Sequence, residues 1–278
     1  MSTNVETLNV DVKIDKLISF NKKMGVVHLV QGLLMMLFAF FIYPNMTSQG
    51  AFTIKVFGNY LDFEIGSGLV LKQTATLFEL PFLQMAASFL LISGIFHFLI
   101  AFVWKDNYRA GLKVGINKYR WYEYALSSSL MIILIASLFG AYDINVLVLI
   151  ALANAAMNFF GLDMELLNQG ESKVGKKINW LPFIFGSIVG LAPWIAIAFF
   201  ILAGYLTSDN YEMPGFVWAI LATYFIAFNT FPVNMYLQYK GIGKFKDYLY
   251  GERGYIILSL VAKTILTWLV LFGAFQPS

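Results

Sequence analysis

Long apolar runs separated by short polar breaks dominate the chain. The runs fall at 24–43, 79–104, 119–140, 144–167, 181–206, 213–238 and 252–275. Each is roughly 20 residues or more, enough at ~1.5 Å per residue to cross a ~30 Å hydrocarbon layer as a helix. The breaks carry turn chemistry: Tyr43-Pro44-Asn45, Ala141-Tyr142-Asp143 and Gln169-Gly170-Glu171. Pro193 and Pro232 lie inside runs, where neighbouring helices can satisfy the freed carbonyls, so kinks are expected there. The pattern predicts an all-α membrane protein, a bundle of seven transmembrane helices.

The 44–78 connection is long for a bundle loop. Within it, Thr53–Phe57 and Tyr60–Ile65 alternate in polarity around Gly58-Asn59. That spacing predicts a short β-hairpin with a tight turn, serving as a cap over the bundle mouth.

Composition agrees with the membrane reading. Hydrophobic residues make up 59%, charged residues 13%, and mean hydropathy is +0.70; soluble domains carry about 25% charged residues. With no cysteine, disulfides, thiolate metal sites and cysteine nucleophiles are excluded. The first 23 residues are too polar and acidic for a signal peptide, so the first helix is expected to remain as an anchor. A net charge of +3 is too small to point to nucleic acid.

The distribution of that charge is more informative than its sum. Sixteen of the 19 Lys and Arg residues fall on one side of the predicted topology: Lys13 to Lys23, Lys105 to Arg120, Lys173 to Lys177, and Lys240 to Arg253. Only Lys55 and Lys72 lie on the other. By the positive-inside rule the N-terminus is cytoplasmic and the C-terminus external. The expected division is a cytoplasmic tail at 1–23, a bundle at 24–275 with 44–78 as an extracellular loop, and an external end at 276–278.

The remaining cation, Lys263, sits near the middle of the seventh run. An ammonium there costs about 2.5–3.5 kcal/mol on insertion scales and marks a functional site. It is either paired with a carboxylate inside the bundle or covalently engaged as a Schiff base. A protonated Schiff base in a dry bundle needs a counter-ion, and Glu123 is the candidate. Arg120, Glu123 and Ser127 share one helical face; the alternative is an Arg120–Glu123 pair at the membrane interface. His28 with Gln31, and Ser93 with His97, place further polar groups in the cytoplasmic half. Ser259, four residues before Lys263, shares its face. Together they predict a hydrogen-bonded, partly hydrated cavity near Lys263, whereas 30–41, 130–138 and 266–272 are almost wholly apolar. Met131, Asn158, Trp194 and Phe231 are candidate walls of a chromophore slot, set against an ordinary packing role.

The string Arg120-Trp-Tyr-Glu-Tyr-Ala-Leu-Ser-Ser-Ser129 and the string Ser259-Leu-Val-Ala-Lys263 resemble the heliorhodopsins. So do His28 with Gln31, Ser93 with His97, and the hairpin-bearing first loop. The resemblance spans essentially the whole chain. It implies a rhodopsin-like bundle inserted with a cytoplasmic N-terminus, with all-trans retinal on Lys263 as a protonated Schiff base and Glu123 as counter-ion. It also implies Ser127 and Ser259 as hydrogen-bond partners, and His28 and His97 in a cavity that receives the proton. Isomerisation to 13-cis, a slow photocycle without ion pumping, a light-sensing role and a homodimer complete what it implies. A signalling partner would meet the basic cytoplasmic face.

Two other functions fit the residues less well. Light-driven proton movement lacks an evident carboxylate in the outer half apart from Glu79. A retinal-free transporter built on a Lys263–Glu123 pair lacks paired half-repeats. No metal-ligand, nucleophile-elbow or phosphate-loop motif points to an enzyme.

Overall fold

The structure, a computed structural model, describes residues 2–46, 52–170, 175, 177–208 and 212–275. The external end at 276–278 lies outside them. Helix α1 (Ser2–Leu37) continues through a π-helical turn, Phe38–Ile42, and a last turn, Tyr43–Met46. The first connection then carries β1 (Thr53–Val56), β2 (Asn59–Glu64), β3 (Gly68–Gln73) and β4 (Phe78–Pro81). Next come α2 (Phe82–Phe98, with a π-helical turn at Leu99–Val103), the short α3 (Lys105–Lys113), α4 (Lys118–Leu138) and α5 (Ile144–Leu167). The chain ends with α6 (Leu181–Thr207), α7 (Gly215–Lys240) and α8 (Tyr248–Ala274). Seven of these helices are long and apolar enough to cross a membrane.

The predicted runs match these helices, with one large difference at the start. Residues 2–23, expected as a tail, are helical and extend α1. The reason is amphipathicity: Ile14, Leu17 and Ile18 are buried with Tyr108 and Leu112 of α3 and Tyr248 and Leu249 of α8. Outward-facing Asp11 and Asp15 pair with Arg109, and Asp11 also with Lys113. A segment whose mean polarity reads as solvated therefore still has a face to bury.

Helices in lipid gain little from burying apolar surface against each other, so close approach and polar contacts do more of the work. At the α1–α2 crossing, a Cβ on Gly32 would meet Leu91 and one on Gly94 would meet Leu29, each at 2.7 Å. Those two glycines set the spacing that brings His28 to His97. Helices α6 and α7 run continuously through Pro193 and Pro232. The outer surface is mostly apolar, with Leu33, Leu152, Ile188 and Ile226 among the exposed residues, as a lipid-facing surface must be.

The loop strands are where predicted but pair differently. β1 pairs antiparallel with β4, and β2 with β3, so the expected 53–57/60–65 hairpin does not form between those strands. The tight turn lies at Glu64–Gly68, where Gly66 and Gly68 have φ of 96° and 77°. Beyond it, Leu69 and Leu71 resume the alternation opposite Phe63 and Leu61. Gly58 and Asn59 are instead tied outward, Gly58 N–H donating to Thr74 Oγ1 and Asn59 N–H to Asp143 Oδ2. Among the described residues, the β1–β4 pair packs on the bundle core through Val56 and Leu80, with Phe52 just before β1 against Phe82. The β2–β3 hairpin leaves Leu61, Phe63, Leu69 and Leu71 exposed.

Asp143 joins this loop to α5, because its carboxylate also accepts from Asn145 N–H as the helix cap. Partial burial pushes its pKa up. Hydrogen bonds from the backbone N–H groups of Asn59, Asn145 and Val146 outweigh this and hold it below the usual carboxylate range. Its stabilising contribution is therefore present above the unfolded-state value near ~3.9 and lost as pH falls through the lower native value. Asp143→Ala is expected to cost about 1 kcal/mol. The thermal midpoint of the variant should also fall less steeply than wild type on acidification below about pH 4.

Candidate functional site

The inward face of α8 runs Tyr255, Ser259, Lys263, Leu266 and Val270, all buried. The i, i+3, i+4 spacing of a helix stripe keeps them in one line. α4 is the most enclosed crossing helix and brings Arg120, Glu123, Ser127, Met131 and Leu134 to the same interior. α2 contributes Ser93 and, one turn later, His97.

These three stripes meet at the Lys263 amine. Lys263 Nζ donates to Glu123 Oε1 at 2.5 Å and to Ser93 Oγ at 2.5 Å. Ser93 Oγ–H donates to Glu123 Oε1 at 2.6 Å. Lys263 is 3% exposed and Glu123 6%, so neither charge could persist here without the other. Ser93 thus stands in direct contact with both members of the pair, beside Ser127 and Ser259, the hydroxyls the sequence resemblance implies there. Ser127 and Ser259 are fully buried and line the cavity beside the amine. The Ser259 hydroxyl has no partner among the described residues.

That cavity has a volume of about 230 Å³, larger than the ~150 Å³ void that accepts a benzene ring. Its floor is Lys263, Ala262 and Ser259, and nine aromatic side chains stand on its walls. Met131, Asn158, Trp194 and Phe231 all lie on these walls, joined by Tyr224 and Phe228. Trp194 meets Tyr224 and Phe228 at ring-centroid distances of 5.6 Å each. Gly186 and Gly190 leave the α6 wall flat, and a Cβ on Gly190 would meet Met157 Sδ at 2.6 Å. Asn158 and Asn154 both donate to Ser128 Oγ, placing a small polar ladder at one side.

A second, much smaller cavity, about 20 Å³, lies on the side of the bundle that carries the N-terminus. Asn21, Ser93, His97, Asn117, Arg120, Glu123, Glu252 and Ser259 line it. His97 Nδ1 lies 2.7 Å from Asn21 Oδ1, and His28 stacks on His97 at 5.3 Å. Neither His28 nitrogen has a partner among the described residues. Gln31 points elsewhere, accepting from Trp268 Nε1 at 3.2 Å.

Arg120 does not pair with Glu123. Its guanidinium bonds to Glu165 of α5 and Glu252 of α8, all three side chains being buried. Asn117 and Tyr108 also donate to Glu252, and Trp121 Nε1 and the Asn117 backbone N–H to Glu165. Sequence reasoning missed this cluster because Glu165 and Glu252 lie near the ends of apolar runs, where a carboxylate reads as interfacial. The available signal was two more acidic residues on the side where the cations concentrate.

Seven membrane-crossing helices around a buried amine, with an apolar cavity opening from that amine, define a rhodopsin-like protein. The heliorhodopsin family model matches residues 17–275, and the chain belongs to that family. No curated protein matches it. Family membership implies a retinal chromophore, so the chain is a retinal-binding rhodopsin. An aldehyde-bearing polyene fits the site on this structure's own terms: one amine at the floor, aromatic and glycine walls, and an acid beside the amine.

Arg120→Met strands two buried carboxylates and is expected to cost about 3–5 kcal/mol. Adding Glu252→Gln should recover part of that loss, because it removes one uncompensated charge. Thermal midpoints of the two variants in the same detergent test both statements.

Proposed function

We propose that the chain is a light-sensing protein in which Lys263 Nζ carries all-trans retinal as a protonated Schiff base and Glu123 is its counter-ion. The observation that carries the proposal is the 2.5 Å Lys263–Glu123 contact at the floor of the aromatic cavity. When bound, retinal supplies visible absorption and light-driven isomerisation from all-trans to 13-cis.

The protein's own groups have distinct tasks in this reading. Glu123 Oε1 keeps a proton on Nζ by charge, and Ser93 fixes the carboxylate in place through its hydroxyl. Trp194, Tyr224 and Phe228 hold a flat ligand between rings and exclude water. Met131, Asn158 and Phe231 complete the slot, and Ser127 and Ser259 offer hydroxyls near the nitrogen. In this reading a proton leaving Nζ moves toward the N-terminal side. Glu123 and the His97–Asn21 pair line the small cavity there, with His28 stacked behind.

The opposite half is packed with Phe89, Leu90, Ile132, Leu134, Leu266 and Val270. Glu79, the outer carboxylate considered above, accepts from Thr53 in the exposed loop. This supports a photocycle that retains its proton rather than pumping it. The charge bias supports a cytoplasmic N-terminus and an external C-terminus, with 24–275 as the retinal-binding unit and 44–78 outside the cell. A homodimer is part of the proposal, supported by the exposed apolar face of the β2–β3 hairpin. A signalling partner would meet the cytoplasmic face.

Wild-type protein supplied with retinal should show a visible band that Lys263→Ala abolishes. Glu123→Gln should move the band to longer wavelength, because a weaker counter-ion favours the redistributed charge of the excited state. A native band in Lys263→Ala would remove the covalent link. Illuminated vesicles should show no protonophore-sensitive pH change; a sustained one would favour proton transport.

A further inference from the structure

The seam between α1 and α8, on the side that carries the N-terminus, has a chemistry the retinal site does not use. Lys13 closes it at one end by pairing with Asp247 at 2.8 Å. Further along, the Arg253 guanidinium lies 5.5 Å from the centre of the Phe20 ring. The ring faces of aromatics attract guanidinium without using its N–H edges. Arg253 is therefore held across the seam, and its N–H donors have no ion-pair partner among the described residues.

Lys16 and Lys23 flank Phe20 at i−4 and i+3, so they share its side of α1. Lys16, Lys23 and Arg253 are all exposed. The ion pairs among the described residues employ Lys13, Lys72, Arg109, Lys113, Arg120 and Lys263, and none of these three. The acids nearest in sequence are already engaged: Asp11 and Asp15 by Arg109, Asp247 by Lys13, and the buried Glu252 by Arg120. Arg253 thus sits beside Phe20, between Lys16 and Lys23, which are about 10 Å apart along α1, and none of the three is paired with a carboxylate among the described residues.

Immediately deeper, the surface changes character. Ile257 and Val261 follow Arg253 by four and eight residues on α8, and Val27 follows Lys23 by four on α1; all three are exposed. A ligand matching this order must carry an anionic head within reach of three donors and a hydrocarbon tail directly beneath it.

We propose that the α1–α8 seam is a binding site for one anionic phospholipid, its phosphate held by Arg253, Lys16 and Lys23 and an acyl chain laid along Val27, Ile257 and Val261. Basic clusters between helices at this membrane level recognise anionic head groups. A guanidinium can grip phosphate oxygens in bidentate fashion, which a lone lysine cannot. The site stands independently of the retinal reading, since no residue is shared.

The test is native mass spectrometry of the full-length protein from neutral detergent, titrated with phosphatidylglycerol or phosphatidylcholine. Wild type should retain one phosphatidylglycerol in preference to phosphatidylcholine, and millimolar inorganic phosphate should not displace it. The Lys16→Gln/Lys23→Gln/Arg253→Gln variant should bind it at least about tenfold more weakly. A control with the same loss of charge, Lys105→Gln/Lys118→Gln/Lys244→Gln, should bind as wild type does. Equal retention of the two lipids by wild type overturns the proposal without recourse to any variant. Displacement by inorganic phosphate, or equal weakening in both triple variants, overturns it as well, the latter by showing diffuse attraction to a basic face.

Discussion

A charged amine cannot rest in the middle of an apolar bundle without a charge of opposite sign against it. The Lys263–Glu123 pair meets that requirement at 2.5 Å, and Ser93 touches both partners. Breaking such a buried pair by removing one member costs about 3–5 kcal/mol. The placement of α2, α4 and α8 is therefore not free: each must hold its inward stripe at this depth. The glycine contacts between α1 and α2 then fix where His28 and His97 fall relative to the pair. The same amine that constrains the packing opens into the aromatic cavity, so the constraint on folding and the chemistry of the site coincide at one nitrogen.

The second buried cluster makes the first one possible. Arg120 is only three residues from Glu123 and would compete with Lys263 for its carboxylate. Glu165 and Glu252 occupy the guanidinium instead, with Asn117, Tyr108 and Trp121 satisfying the remaining oxygens. Glu123 is left to the lysine. Both clusters lie toward one side of the membrane, and the other half is packed mainly with apolar side chains. That asymmetry places Glu123, Glu165 and Glu252 toward the side of the bundle that carries the N-terminus.

The sequence revealed the helices because apolar length is a strong signal where backbone groups must be satisfied within each segment. It also drew out Lys263 and Glu123 as candidates, since a charge in a span has few explanations, and the structure places the two side chains in contact. The helical extension of α1 was hidden by its mean polarity; its buried face at Ile14, Leu17 and Ile18 is visible only as periodicity. The strand pairing was hidden because Gly58-Asn59 has turn chemistry, while the contact that overrides it comes from Asp143, distant in sequence. Ser93 as the contact to both charges, and Glu165 with Glu252 as the seat of Arg120, depend on which helices are neighbours. No single-helix pattern carries that information. The cavity walls at Met131, Asn158, Trp194 and Phe231 could be named but not distinguished from ordinary packing until the helices were assembled.

The central claim is a covalent bond at one nitrogen, and chemical trapping tests it most directly. Retinal-loaded protein would be treated with borohydride, which reduces an imine to a stable amine, then digested and read by mass spectrometry. The account predicts the added mass of one retinyl group on the peptide containing Lys263 and on no other lysine. An unmodified Lys263, or the label on a different residue, would contradict it.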